Sequence, residues 1–210
     1  MKQGRKISIV SRMFAVLLAV MMVCSNISLP SKAAETVQTI AAWEYKDKDS
    51  APSSLPAGAT SGSGQLNVTG ATYTGYSSKS LAANNWEEEG YWTISEINAE
   101  KYENLTFSAS LRSSNTGAKN FQLEYSLDKG QSWKVVDGGA VEITSTNLTQ
   151  LYKDVKLPAE LSGKNFTLRV KKVGTTSVNG GTVAPTGASN INHIVIKGTT
   201  TEDGTETDRK

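Results

Sequence analysis

His193 is the one histidine in the sequence, so a Ser-His-Asp triad or a histidine-ligated zinc would have to be assembled around it. It lies inside the strongest apolar strand candidate, Ile191 to Lys197, where a packed strand histidine bonded to a neighbour is the simpler reading. Carboxylates for glycoside hydrolysis are available at Glu87, Glu88, Glu89, Glu96 and Glu103. Three consecutive glutamates, however, suit a solvated turn better than an acid and base held at a fixed separation. Asp47-Lys48-Asp49 offers carboxylates of the kind a structural calcium takes, without the glycine and terminal glutamate of an EF-hand loop. No catalytic residue, metal site or cofactor is expected from these groups, and the chain does not read as an enzyme.

Aromatic residues give the positive signal. Tyr73, Tyr76, Trp86, Tyr91 and Trp92 fall within 20 residues around Asn84-Asn85. Exposed Tyr and Trp rings stack on sugars while Asn and Glu read hydroxyls, which makes Tyr76, Trp86, Tyr91 and Trp92 the candidate ligand-binding residues. Tyr91 and Trp92 are adjacent, so a strand must turn one of them inward, and packing at the sandwich end is the competing use of the whole group. A second motif, Ser126-Leu127-Asp128-Lys129-Gly130-Gln131-Ser132-Trp133, has the Asp-box spacing Ser-x-Asp-x-Gly-x-x-Trp. Its physical content is a hairpin: Asp128 accepts hydrogen bonds from the turn, Gly130 supplies a positive φ, and Trp133 packs back on the sheet. A single copy reads as a structural device built from Ser126, Asp128, Gly130 and Trp133.

The elements that must position these residues are strands. Leu105-Phe107-Ala109-Leu111, Phe121-Leu123-Tyr125-Leu127 and Phe166-Leu168-Val170 put apolar side chains on one face at period two, with Gln122 and Glu124 among those facing out. Val37 to Tyr45, Gln65 to Thr69, Tyr91 to Ile94, Trp133 to Val136, Val141 to Ile143 and Gln150 to Leu157 are further strand candidates. Ile191 to Lys197 is apolar on both faces and suits the middle of a sheet. Lys46 to Gly64 and Gly174 to Ser189 read as long loops. The expectation is all-β: a single jelly-roll-like β-sandwich of about nine or ten antiparallel strands.

Residues 1–33 carry the marks of an export signal: basic Lys2, Arg5, Lys6 and Arg12, the apolar run Met13 to Cys24, and Ser31-Lys32-Ala33 ahead of the expected cleavage. The apolar run is too short for a membrane span, so no membrane association is expected after cleavage. All four Met and the one Cys fall in this leader, which leaves an exported chain without disulfides. Removing the leader's five basic residues from the 22 leaves 17 against 20 acidic ones. That balance gives no attraction to nucleic acid. Residues 34–198 are then the sandwich module and 199–210 a polar linker or tail.

Tyr91-Trp92, Tyr102-Glu103-Asn104-Leu105-Thr106, Ser113-Ser114-Asn115-Thr116-Gly117, Phe121 through Asp128, and Ser177-Val178-Asn179-Gly180-Gly181-Thr182-Val183 carry a resemblance that runs from about Ile40 to Gly198. In these segments the chain resembles the N-terminal β-sandwich domain of secreted Gram-positive bacterial proteins, which often precedes endonuclease/exonuclease/phosphatase, 5′-nucleotidase-like or lamin-tail domains. The resemblance implies a noncatalytic accessory module, here without the catalytic domain. This chain departs from it at Gly117-Ala118-Lys119-Asn120-Phe121, where relatives commonly have Gly-Pro-Arg-Asp-Phe, and at Asn192-His193, where they commonly have paired Asp. The expected function is a secreted carbohydrate-binding module with a polysaccharide or cell-wall glycan as partner, the latter of which would associate it with the wall. The alternative is a protein-interaction or spacer scaffold of a larger secreted protein.

Overall fold

Burying one face of each strand and leaving the other to water is what the period-two segments require, and two antiparallel sheets do this here. The computed structural model describes residues 35–200; the expected leader lies outside the described residues. The strands in chain order are β1 (Thr36–Trp43), β2 (Ala57–Gly58), β3 (Ser61–Gly62), β4 (Gln65–Thr69), β5 (Thr72–Ser77), β6 (Ser80–Asn84), β7 (Tyr91–Asn98), β8 (Glu103–Ser113), β9 (Ala118–Ser126), β10 (Lys134–Glu142), β11 (Thr149–Lys156), β12 (Asn165–Ser177) and β13 (Ser189–Thr200). A seven-stranded sheet runs β11-β8-β13-β1-β3, with β6 paired to β13 and β5 to β6. A six-stranded sheet runs β10-β9-β12-β7-β4-β2. All pairings are antiparallel, as in an all-β sandwich.

The strands number 13 rather than nine or ten. Within the long loop from Lys46, Ala57–Gly58 and Ser61–Gly62 pair with β4 and β1 as two-residue strands. The β5–β6 hairpin, TYTGYS and SLAAN, adds two strands to the expected ones: Gly75 interrupts the Thr and Tyr residues of β5 and breaks its register, and β6 is made mostly of small residues. Conversely, the two segments read around Trp133 and Val141 are one strand, β10, interrupted by a register shift between Val135 and Ala140. The last strand also passes the expected boundary at 198. Thr36 and Val37 of β1 pair with Thr200 and Thr199, and the Thr199 hydroxyl accepts from Asn104 Nδ2 at 2.9 Å. A backbone ladder holds these threonines without any apolar side chain.

One core fills the space between the sheets, with Trp43, Leu81, Phe107, Tyr152 and Ile194 contributed from one side and Leu66, Trp92, Ile94, Phe121 and Leu123 from the other. β13 is central in its sheet, as its apolar run requires. Among its buried polar residues is Asn192, whose Nδ2 donates to Tyr45 O and Lys79 O, both at 2.8 Å, while Oδ1 accepts from Tyr45 N at 3.1 Å. One amide thus ties the last strand to the segment after β1 and to the β5–β6 turn, with no buried valence wasted. A carboxylate at this position would put negative charge against two carbonyl oxygens and remove both donors. Asn192→Asp is therefore expected to lower stability by about 3 kcal/mol, from two buried acceptors losing their partners. Urea denaturation checks this, and an unchanged midpoint would contradict the clamp.

Candidate functional site

β7, β9 and β12 pack Trp92, Ile94, Leu123, Tyr125, Leu168 and Val170 inward, so their alternate residues form the outer face of the six-stranded sheet. Register then sets the neighbours on that face. Asn67, Thr93, Arg169, Glu124 and Val135 form one row across five strands, and Thr69, Tyr91, Lys171, Gln122 and Ala140 form the next. Trp133, delivered by the β9–β10 hairpin, joins this face and is half-buried there, as is Tyr91. Their ring centroids are 6.1 Å apart and tilted by 53°. The Arg169 guanidinium lies 4.2 Å from the Trp133 centroid and 5.0 Å from that of Tyr91, within cation–π range of both.

Arg169 does not move freely between the rings. It is ion-paired to Glu124, and the two side chains are only 13% and 12% exposed. Lys171 is paired to Glu89, and this pairing holds the Glu89 carboxyl below its usual range. The face therefore offers two tilted rings and a fixed guanidinium, bordered by Asn67, Thr93 and Gln122. That combination can stack against the apolar face of a pyranose and hydrogen-bond its equatorial hydroxyls.

The turn that carries Trp133 is closely tied. Ser126 Oγ donates to Asp128 Oδ1 at 2.7 Å and accepts from Gly130 N at 2.7 Å. Asp128 also accepts from Ser132 N at 2.9 Å and Ser132 Oγ at 2.5 Å. Gly130 has φ +88°, and a Cβ there would lie 3.2 Å from Trp133 Cζ2, so conformation and space both call for glycine. The indole reaches across to Arg169 on β12 and Tyr91 on β7.

Of the four aromatic residues expected to bind ligand, only Tyr91 lies on this face. Trp92 is 0% exposed and Trp86 8%, and the two pack edge-to-face at 5.9 Å, with Phe121 6.0 Å from Trp86. Neither presents a ring to solvent, because Trp92 takes the inward parity of β7 and Trp86 closes the core beside it, its Nε1 donating to Ala83 O at 2.9 Å. Tyr76 sits on β5 in the other sheet, and its hydroxyl donates to Tyr45 O at 3.3 Å. Sequence reading missed Arg169, Lys171 and the outward use of Trp133. The first two follow from the inward parity of Phe166, Leu168 and Val170, which sends the residues between them to the outer face.

Other candidate residues are placed elsewhere. His193 is not packed inside: it is exposed on the outer face of β13 with φ +48°, at a register break, and its Nδ1 is 3.3 Å from Ser110 Oγ. Glu87, Glu88, Glu96 and Glu103 are exposed. Asp47 accepts from Ser50 N at 2.8 Å and closes a turn, a bond that lowers its pKa. Among the described residues no group of three or more acidic, histidine or cysteine side chains could hold a metal ion.

No protein-family model matches the chain, and no curated protein is similar to it. Among solved structures it is similar to a family 29 carbohydrate-binding module from Piromyces equi, at 10% identity and TM-score 0.43, with 79% of this chain and 91% of the other covered. It is similar to the K2 cleaved adhesin domain of Lys-gingipain at 10% identity and TM-score 0.43, covering 77% and 97%. A third is the C-terminal family 6 carbohydrate-binding module of the laminarinase LamC from Zobellia galactanivorans, at 11% identity and TM-score 0.39, covering 78% and 99%.

Hydrogen bonds from Ser132 first, then Ser126, hold the Asp128 carboxyl at about 2 rather than 3.8. A depressed carboxylate contributes stability that is complete above its unfolded pKa and is lost as pH falls through the folded one. The turn carrying Trp133 is thus expected to hold at pH 4 and loosen towards pH 2. NMR titration of Asp128, with the Trp133 indole signal as the second readout, checks this; Ser132→Ala should move the midpoint up, and a wild-type midpoint near 4 would contradict it.

Proposed function

We propose that this chain is a noncatalytic, secreted carbohydrate-binding module that holds a polysaccharide against the outer face of the six-stranded sheet. The observation that carries the reading is the pair Tyr91 and Trp133, 6.1 Å apart, with Arg169 fixed between them by Glu124. Two tilted rings match successive sugars of a chain or the apolar faces of one sugar. Asn67, Thr93 and Gln122 supply the amide and hydroxyl groups that select among sugars. Little ordering is needed on binding, since the guanidinium and Trp133 are already held. The leader and the resemblance support a reading in which the module works outside the cell, beside a nuclease- or phosphatase-type domain of a larger secreted protein, with a cell-wall or other polysaccharide as its target.

Sedimentation of the protein with a panel of insoluble polysaccharides and intact Gram-positive cell walls tests this. Trp133→Ala and Tyr91→Ala are each expected to weaken binding about tenfold or more, about 1.4 kcal/mol, without changing the melting temperature by more than a few degrees. Trp86→Ala is a stability control, since it removes a core ring and costs about 3–5 kcal/mol. Binding that survives loss of both outer rings, or a specific protein partner in place of any glycan, would overturn the reading in favour of an interaction scaffold.

A further inference from the structure

On the opposite side of the molecule, the seven-stranded sheet carries a trough of about 400 Å³ on its outer face. Its floor is β8, where Ser108 and Ser110 point outward and are short enough to leave a channel between longer side chains on the flanking strands. Gln150, Lys153 and Asp154 of β11 form one wall; His193 and Lys197 of β13, with Glu44 just after β1, form the other.

Both walls are shaped by the same unusual device. Asp154 has φ +45° and His193 φ +48°, a region that side-chain-bearing residues avoid, and each sits at a break in register with β8. A bulge re-aims the side chain it carries, and strained backbone held by the surrounding sheet is concentrated at functional sites. Here the two bulges face each other across the serines. Ser108 Oγ donates to Asp154 Oδ1 at 3.2 Å and accepts from Asp154 N at 2.9 Å, while Ser110 Oγ lies 3.3 Å from His193 Nδ1. No ion pair or side-chain hydrogen bond engages the ends of Lys153, Lys197, Gln150 or Glu44 among the described residues.

The lining selects the ligand by elimination. Two ammonium groups are balanced by two carboxylates, so the trough has no net charge with which to concentrate a phosphate or nucleic acid. β8 and β13 are interior strands, each paired on both sides, and β11, the edge strand, is paired to β8 on its trough side, so an extended peptide cannot add to the sheet within the trough. Val195 is the one aliphatic side chain lining it. What remains is a dense alternation of donors and acceptors along a channel, which fits the vicinal hydroxyls of an uncharged sugar chain.

We infer that this trough is a second saccharide site, binding by hydrogen bonds without ring stacking, and that the module is bivalent. The inference shares its ligand class with the proposed function but none of its residues. Because the outer faces of two packed sheets point in opposite directions, the two sites engage different chains, and the module cross-links them.

The test is a ¹⁵N–¹H NMR titration of the protein with soluble hexasaccharides of β-1,4-linked glucose, mannose, xylose and N-acetylglucosamine. Shifts are expected at Ser108, Ser110 and His193 and are retained in Trp133→Ala. The double substitution Asp154→Gly/His193→Gly keeps the positive φ without strain, so the fold is retained while those shifts weaken at least tenfold. Gln150→Ala/Lys153→Ala, on the exposed wall, repeats the test without touching either bulge. Shifts confined to the Tyr91–Trp133 face, or trough shifts undiminished by both double variants, would overturn the second site alone. Shifts in the trough only would support it and sink the aromatic face; no shift anywhere overturns both.

Discussion

Parity along β7 is the constraint from which the outer face of the six-stranded sheet follows. Trp92 is the largest side chain of that strand, and its burial against Trp86 turns Tyr91, Thr93 and Ser95 to the other side, until the break at Glu96, φ +57°, returns Ile97 to the core. The same parity in β12 and β9, set by Leu168 and Val170 and by Leu123 and Tyr125, brings Arg169 opposite both Thr93 and Glu124. A one-residue slip in β7 would exchange Trp92 for Tyr91 in the core and dismantle the outer cluster. The core aromatics are therefore indirect determinants of the face, although neither touches it.

Departures from parity are local, and those of β10, β11 and β13 have a discernible use. The register shift between Val135 and Ala140 in β10 contains Gly139, where a Cβ would lie 2.9 Å from both Gln122 Nε2 and Leu123 Cβ; without it the amide of Gln122 could not reach Val136 O and Leu123 O. Those of β11 and β13 turn Asp154 and His193 towards the serines of β8. None has a sequence signature. Asp, His and Glu at positive φ look like any other strand residue until the register of the partner strand is known, because the bulge is a property of the pair.

That distinction explains what was legible in the sequence. The apolar alternation of β8, β9 and β12, the central placement of Ile191–Lys197 and the Asp-box hairpin are local patterns, and a local pattern can be read without knowing the partner strand. The β5–β6 hairpin was not legible, since glycine interrupts the Thr and Tyr residues of β5 and alanines stand in β6 where β-branched residues usually mark a strand. Asn192 read as a lost carboxylate, whereas its amide nitrogen is bonded to two carbonyls that lie 147 and 113 residues away in the chain. Tyr91 and Trp133 are 42 positions apart in the sequence. Only the pairing of β12 with both β7 and β9 brings them to one guanidinium.

The Arg169–Glu124 pair bears on why such a face should be rigid. An ion pair this far from water offsets much of its own attraction with the desolvation of both partners, so its net contribution to folding is small. Its effect is on geometry. Tied at its guanidinium by the carboxylate, Arg169 presents a flat cationic surface to two rings at 4.2 and 5.0 Å, and the rings in turn lose the freedom to rotate away. On the proposed reading, a sugar chain at this face would meet side chains whose ordering cost has been met on folding, and weak individual stacking contacts would then suffice for useful affinity.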